Sequence, residues 1–403
     1  MRKPKWLMLV AMLSALSLVA AACGGDDGDE GGEDAGGGEQ QDCTWTVGTM
    51  GALSGDNAAL GRPIQQGVEF AVQQANDSGD MPCTIEYVEE DSQGDPTQAP
   101  ALAEKLVGVE DLVFCACPYF SGETLATGEI FGAAGVAISG TGTNETIDEQ
   151  GYPTWHRAVA PDNIQAEVAA AYIEGGLGAQ TTAVIHDNQD YSKGLADAVK
   201  ENLGDAAKGP FIINPEESDF SAVVSQVEQV DPDVIFYGGY TPEAGPLLKQ
   251  LREAGVDATF LSDDGTKAPD FGSLAGEENA EGALVTCPCA DPLKIDAANQ
   301  FVEGMRAEYG KTAPGTFAAD VYDVTTMVLE GLKEYDGDVE DIAAVREFVV
   351  GIFDEANYEG VAKTYSWEDT GEFVGGPEDI WIYEWSNADE NFVSVGPASE
   401  LIE

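Results

Sequence analysis

Residues 233–262 read "DVIFYGGYTPEAGPLLKQLREAGVDATFLS", and this stretch decides the fold. The run "DVIFYGG" is nearly continuous in apolar residues instead of alternating with polar ones. A strand of that kind has both faces buried, which implies a parallel sheet covered by helices on either side. "EAGPLLKQLREAG" reads as the helix that follows, and "ATFLS" at 258–262 as the next strand. Strand, helix and strand in succession are the unit of an α/β fold.

The rhythm continues outward from there. On the N-terminal side lie the helix "DFSAVVSQVEQV", the strand "GPFIIN", a helix over 191–203 and the strand "TTAVIHD" at 181–187. An earlier run has the same order. Its strands are "CTWTVGTM" from Cys43, "CTIEYVEED" from Cys83, "DLVFCACP" at 111–118 and "VAIS" at 136–139. Between them the spacing predicts helices over 62–77, over 95–108 opened by Asp95 and Pro96, and over 121–135 with Ser121 at the N-cap. A length of 403 residues exceeds one comfortable core, and the two runs part near Pro153 to Pro161, so two lobes are expected. Beyond 281–292, a further strand, come helices over 295–310 and 316–335 and one starting near Asp341. "TYSWEDTGEF" (364–373) and "DIWIYEWSN" (379–387) read as antiparallel hairpin strands. The fold class is therefore α/β, with two doubly wound parallel-sheet lobes, and no repeat of 20 to 50 residues suggests a solenoid.

The chain begins "MRKPKWLMLVAMLSALSLVAAAC", a basic start, an apolar run and small residues that end in Cys23. This pattern is an export signal over 1–22, and the cysteine makes it a bacterial lipoprotein signal in which Cys23 carries the lipid. Ala20 stands where a leucine is usual. Residues 23–42, rich in glycine and acid, have no large apolar side chain and read as a flexible, self-repelling tether. The formal charge is −56, with 74 acidic against 18 basic residues, so nucleic acid and anionic headgroups are repelled. Seven cysteines are present: Cys23, Cys43, Cys83, Cys115, Cys117, Cys287 and Cys289. In an exported chain the last six read as disulfides. Cys43 and Cys83 each open a strand and can meet if those strands are neighbours; the pairing of the "CAC" and "CPC" cysteines stays open.

Several chemistries lack support. No G-x-S-x-G elbow and no H-E-x-x-H occurs, and the two histidines, His156 and His186, are read as structural or solvated. "YGKTAP" (309–314) lacks the first glycine of a phosphate loop, having Met305 in its place, and follows a helix. "GTGTNE" (140–145) has Glu145 where the dinucleotide fingerprint needs its third glycine. No enzyme, cofactor or metal is implied. What recurs is a polar residue just past a strand end: Ser121, Thr141 and Thr143, Tyr191, Tyr240 and Asp264. Open α/β sheets bind ligands there. Recurrence across both runs points to a cleft.

Four stretches carry a specific resemblance: "VGTMGALSGDNAALGRPIQQGVEFAVQQAN", "VIHDNQDYSKGLADAVKENL", "DFSAVVSQVEQVDPDVIFYGGYTPEAGPLLKQLREAG" and "AGEENAEGALVT". Over about 45 to 290 the chain resembles the leucine/isoleucine/valine-binding proteins of ABC importers, of the type I periplasmic binding fold. The resemblance implies that Ser121 and Thr143 hold a ligand carboxylate, that Thr143 and the Thr141 carbonyl meet its ammonium, and that Tyr191 and Tyr240 close over it. Asp264 matches the acid, usually a glutamate, that pairs with the ammonium, and Asp263 next to it could compete. Phe120 and Leu60 stand where the family often has other residues and alter the side-chain pocket. An amide ligand would leave Asp264 unpaired, which favours an amino acid, with branched aliphatic ones first.

The resemblance further implies a monomer that partners an ABC permease, outside the cytoplasm and anchored by its lipid. Chain crossings near 155–161, 286–292 and 361–367 would form a three-strand hinge. The lobes would then comprise 43–158 plus 290–362 and 159–289 plus 363–403. Rival readings are a binding protein for an amide, polyamine or aromatic acid, and a sensor partner instead of a transport component.

Overall fold

The computed structural model describes residues 43–215, 217–310 and 314–402; the export signal, Cys23 and the acidic segment up to 42 lie outside the described residues. The first sheet has five parallel strands, β1 (Thr44–Gly51), β2 (Thr84–Asp91), β3 (Leu112–Ala116), β4 (Ala137–Gly140) and β5 (Trp155–Arg157), in the order β2-β1-β3-β4-β5. The second begins with five more, β6 (Thr182–His186), β7 (Ala207–Ile212), β8 (Val234–Gly238), β9 (Thr259–Ser262) and β10 (Leu284–Cys287). A small ribbon of β11 (Tyr358–Glu359) and β12 (Thr364–Tyr365) follows, and β13 (Trp381–Ser386) and β14 (Asn391–Pro397) then complete the second sheet. Its order is β14-β13-β10-β9-β8-β6-β7, and β13 runs antiparallel to both β10 and β14.

Burial explains the strand composition. All five residues of β8 are buried, as are all five of β3, because helices cover both faces. In β3, Val113 and Phe114 join one apolar cluster, while Leu112 and Cys115 join a second with Ala99, Ala103 and Leu106 of the helix Ala99–Val107. The two faces of one sheet thus serve two cores.

Several boundaries differ from the sequence expectation, each for a local reason. The helix expected to open at Asp95 opens at Ala99, since the Asp95 carboxylate accepts bonds from the Thr97 amide (2.8 Å) and hydroxyl (2.7 Å) and so forms a turn. Ser121 is the first helical residue of Ser121–Ala133 and Phe120 the cap position; the Phe120 amide donates to Glu123 (3.1 Å). The helix predicted from Arg62 begins a turn earlier, over Ala58–Ser78, because Leu60 and Gly61 already donate to the Asn57 carbonyl. The helix expected over 295–310 is Asn299–Tyr309, preceded by two short 3₁₀ turns. "TYSWEDTGEF" and "DIWIYEWSN" are both antiparallel, as expected, yet they do not pair with each other. The first pairs with Tyr358–Glu359 and within itself at Trp367 and Phe373, and the second with Asn391–Pro397 and β10. The segment 364–373 packs on the first sheet's elements: the Trp367 indole donates to the Arg157 carbonyl (2.7 Å), and the Arg157 amide to that of Gly371 (2.9 Å).

Three disulfides occur among the described residues. Cys43–Cys83 joins the starts of β1 and β2, which are neighbours in register with Thr44 opposite Thr84. Cys115–Cys117 and Cys287–Cys289 each close on themselves across one residue, which resolves the pairing left open by the sequence. No helix among the described residues is long and apolar enough to cross a membrane.

Candidate functional site

The C-terminal ends of the strands of both sheets converge on one cavity of about 260 Å³. All eight candidate residues line it: Leu60, Phe120, Ser121, Thr141, Thr143, Tyr191, Tyr240 and Asp264. Ile64, Tyr119 and Phe317 complete the wall.

One end is built on the first sheet. Here the loop after β4 folds back against the loop after β3. Gly140 permits this, because a Cβ there would lie 1.9 Å from the Pro118 carbonyl oxygen. The Ser121 hydroxyl accepts from the Asn144 amide (3.1 Å), and the Thr141 hydroxyl donates to the Tyr119 carbonyl (2.8 Å). Behind the loop stands Arg157, fully buried. It donates to the carbonyls of Gly142 and Asn144 and forms a two-point pair with Glu372 (2.8 and 2.9 Å). A buried guanidinium with its charge and donors matched in this way fixes a loop rigidly. Asn144 also reaches the second sheet's side, its amide donating to the Asp190 carbonyl (2.7 Å). Gly194 makes room for it, since a Cβ there would sit 2.5 Å from the Asn144 amide nitrogen.

The other end is acidic. Asp264 accepts from the Tyr191 hydroxyl (2.9 Å) and the Gln165 amide (2.8 Å), and that amide also donates to the Thr286 carbonyl (3.2 Å) and hydroxyl (3.0 Å). Burial pushes the Asp264 carboxyl up to about 6, against the pull of those two bonds. Of the two adjacent acids, Asp264 lines the cavity. Asp263 accepts from the Gly239 amide (2.9 Å) through one oxygen, and its other oxygen has no hydrogen-bond partner. The residue that sequence reasoning missed is Asp162, 1 % exposed, whose amide donates to the Thr143 carbonyl (2.8 Å) and whose carboxylate lies beside the Thr143 hydroxyl. Burial and then the neighbouring charge of Asp264 hold its carboxyl well above the usual range. The Gln165 carbonyl oxygen is buried and unmatched. Tyr240 forms the lid between the ends, its ring 5.3 Å from those of both Phe120 and Tyr191.

Neutral donors at one end and unmatched acceptors at the other can hold a molecule with a negative and a positive group. The apolar wall of Leu60, Ile64, Phe120 and Phe317 can take an aliphatic part. Nothing in the cavity pairs a nucleophile with a base. Among the described residues no group of three or more His, Cys, Asp or Glu is placed to hold a metal.

Comparison with known proteins agrees. The family model described as periplasmic binding protein matches residues 44–390. The chain belongs to the periplasmic binding protein family. The Leu/Ile/Val-binding protein of Escherichia coli K12 is 30% identical to it over 348 residues, 84% of this chain and 90% of that one. The leucine-, isoleucine-, valine-, threonine-, and alanine-binding protein of Pseudomonas aeruginosa is 31% identical over 309 residues, 74% and 81% of the two chains. In fold, this binding protein superposes on the substrate-binding protein LivJ of Streptococcus pneumoniae, solved with isoleucine, with a TM-score of 0.75 at 24% identity, covering 87% and 99%. The two-lobed α/β architecture expected from the sequence is thus that of the type I periplasmic binding proteins. Like its relatives, this is a periplasmic binding protein.

Proposed function

We propose that the protein is the extracytoplasmic, lipid-anchored solute receptor of an ABC importer and captures a branched-chain aliphatic amino acid in the cavity between its sheets. One observation carries this reading: a single cavity joins hydroxyl donors and a helix start at Ser121, the buried carboxylate of Asp264, and an apolar wall. The ligand carboxylate meets the hydroxyls of Ser121 and Thr143 and the first amides of the helix Ser121–Ala133, whose positive end favours an anion. The ammonium donates to Asp264 and Asp162 and to the Thr141 carbonyl. Its aliphatic side chain lies among Leu60, Phe120 and Phe317.

Hydrogen bonds to charged groups are worth about 1.5–3 kcal/mol each. An ammonium also relieves buried carboxylates that are otherwise costly. A primary amide has no positive end and leaves them unmatched. A polyamine leaves Ser121 and Thr143 without an anion. The names of the relatives support an amino acid, and their transporters support an ABC permease as the partner of a monomeric closed receptor.

Closure follows from ligand contacts made to both lobes, so the ligand stabilises the closed state by its preference for it. The lobes are taken as the elements around each sheet, with crossings after β5, after β10 and, instead of near 361–367, between Phe373 and β13, because the segment 364–373 packs on the first sheet's elements. Lipid on Cys23 and the tether to 42 hold the receptor at the membrane. A thermal-shift panel of the common amino acids, with small amides, polyamines and benzoate as controls, tests the reading. Leucine, isoleucine and valine should give the largest rises. A rise confined to an amide, polyamine or aromatic acid would overturn it.

A further inference from the structure

The three disulfides are unequal in reach. Cys43–Cys83 joins residues 40 apart in sequence, whereas Cys115–Cys117 and Cys287–Cys289 each join residues 2 apart. A cross-link stabilises a fold chiefly by restricting the unfolded chain, and that restriction grows with the length of the loop it closes. A link across one residue therefore adds little against unfolding. Its effect is local: it fixes the direction in which the backbone leaves the second cysteine.

For Cys115–Cys117 that direction leads into the binding site. The pairing of β3 with its neighbours ends here, with Ala116 opposite Thr49 of β1 and Cys115 opposite Ile138 of β4. Cys117 is the first residue beyond the strand, and both cysteines are fully buried. Pro118 alone separates Cys117 from Tyr119, Phe120 and Ser121, three consecutive residues of the cavity wall. Further restraints act on either side of Cys117. The Thr49 hydroxyl donates to the Ala116 carbonyl (3.0 Å) and bonds the Tyr119 hydroxyl, while Thr141 holds the Tyr119 carbonyl. Cys287–Cys289 closes a loop of the same size after β10 but leads to Ala290 and Asp291, neither of which lines the cavity.

We propose that the Cys115–Cys117 disulfide is a positioning element for the anion end of the site. By fixing the exit of the chain from β3 it aims the Ser121 hydroxyl and the first amides of the helix Ser121–Ala133 at the ligand carboxylate. It thereby sets how strongly the protein prefers a carboxylate to a neutral group. The inference rests on the amino-acid reading above, which brings the carboxylate to Ser121.

Isothermal titration of the purified protein and its variants with leucine and leucinamide tests it, since leucinamide keeps the ammonium and side chain and lacks the carboxylate. The wild type should prefer leucine. Cys117→Ser and Cys117→Ala, which leave the Cys115 sulfur in place, should each lower the leucine-to-leucinamide affinity ratio by about tenfold, the scale of one hydrogen bond to a charged group. Cys289→Ser and Cys43→Ser break the other two links and should keep the ratio of the wild type. A wild-type ratio in both Cys117 variants would overturn the inference. So would an equal fall in Cys289→Ser, because loosening any short link would then suffice. Failure of both Cys117 variants to fold would also overturn it, by showing that the link holds the fold instead of the site. If the wild type binds neither compound, the function proposed above fails and takes this inference with it.

Discussion

The two ends of the cavity solve opposite problems with different completeness. At the first-sheet end Ser121 is partnered by Asn144, Thr141 by Tyr119, and Arg157 by Glu372 and two carbonyls. At the second-sheet end one oxygen of Asp263 and the carbonyl oxygen of Gln165 have none. A satisfied end is rigid and ready; an end with surplus acceptors is costly until donors arrive. The positive group of a ligand should therefore supply more of the affinity than the negative one, and that inequality can be attacked directly.

The largest effect should come from Asp264→Ala, which removes the carboxylate lining the cavity. Leucine affinity should fall by about a hundredfold, as expected for one partner of a buried charge pair, and an unchanged calorimetric titration would end the comparison. Asp162→Asn should weaken leucine by about tenfold while raising the melting temperature of the protein without ligand above pH 7. The sign follows from its raised carboxyl: a group that holds its proton more tightly when folded favours the folded state at low pH, and that contribution is lost as pH rises. Ser121→Ala should cost less, roughly three- to tenfold, because its end keeps the Thr143 hydroxyl and the helix amides. Equal losses at Ser121 and Asp264 would show that the ends are balanced.

The smallest effect is the pH profile. Asp264 is pushed up to about 6, so leucine affinity should be level above pH 7 and decline as pH falls through 6, where the acid takes up the proton that the ammonium must displace. Without ligand the same group, and Glu123 at about 7 by burial, favour the folded state most at low pH, and that contribution fades as pH rises through those values. An affinity flat from pH 5 to 8 would place the Asp264 carboxyl back in its ordinary range.

Much of this was legible in the sequence, and the gaps have physical causes. Strand runs such as "VIFYGG" reveal parallel sheets because burial on both faces leaves no polar alternation, and strand ends mark a cleft because backbone groups there are unpaired. All six residues chosen on that basis line the cavity, as do Leu60 and Phe120, which came from the family resemblance. Asp162 escaped since it opens a helix after Pro161, where an acid is an ordinary first-turn residue. A signal was present in its place near the parting of the two runs. Arg157 escaped for a different reason: its partner Glu372 is 215 residues away, and no local pattern encodes that distance. One of few basic residues, set in the apolar run "WHRAVAP", was the available clue. The helix start at Asp95 was misplaced because its side chain competed with the backbone over two residues, whereas the helix at Ser121 starts where expected, with Phe120 in the cap position.

The link from Arg157 to Glu372 also has a consequence for the order of events as the chain is made and exported. Synthesis delivers the N-terminal half first, and domains tend to fold as they emerge. The loop of Thr141 and Thr143 can take its approximate course at that stage, but its carbonyls wait for an arginine whose counter-ion is threaded through hundreds of atoms later. The loop of Thr141 and Thr143 should therefore reach its final form only after the segment of Glu372 has folded onto Arg157.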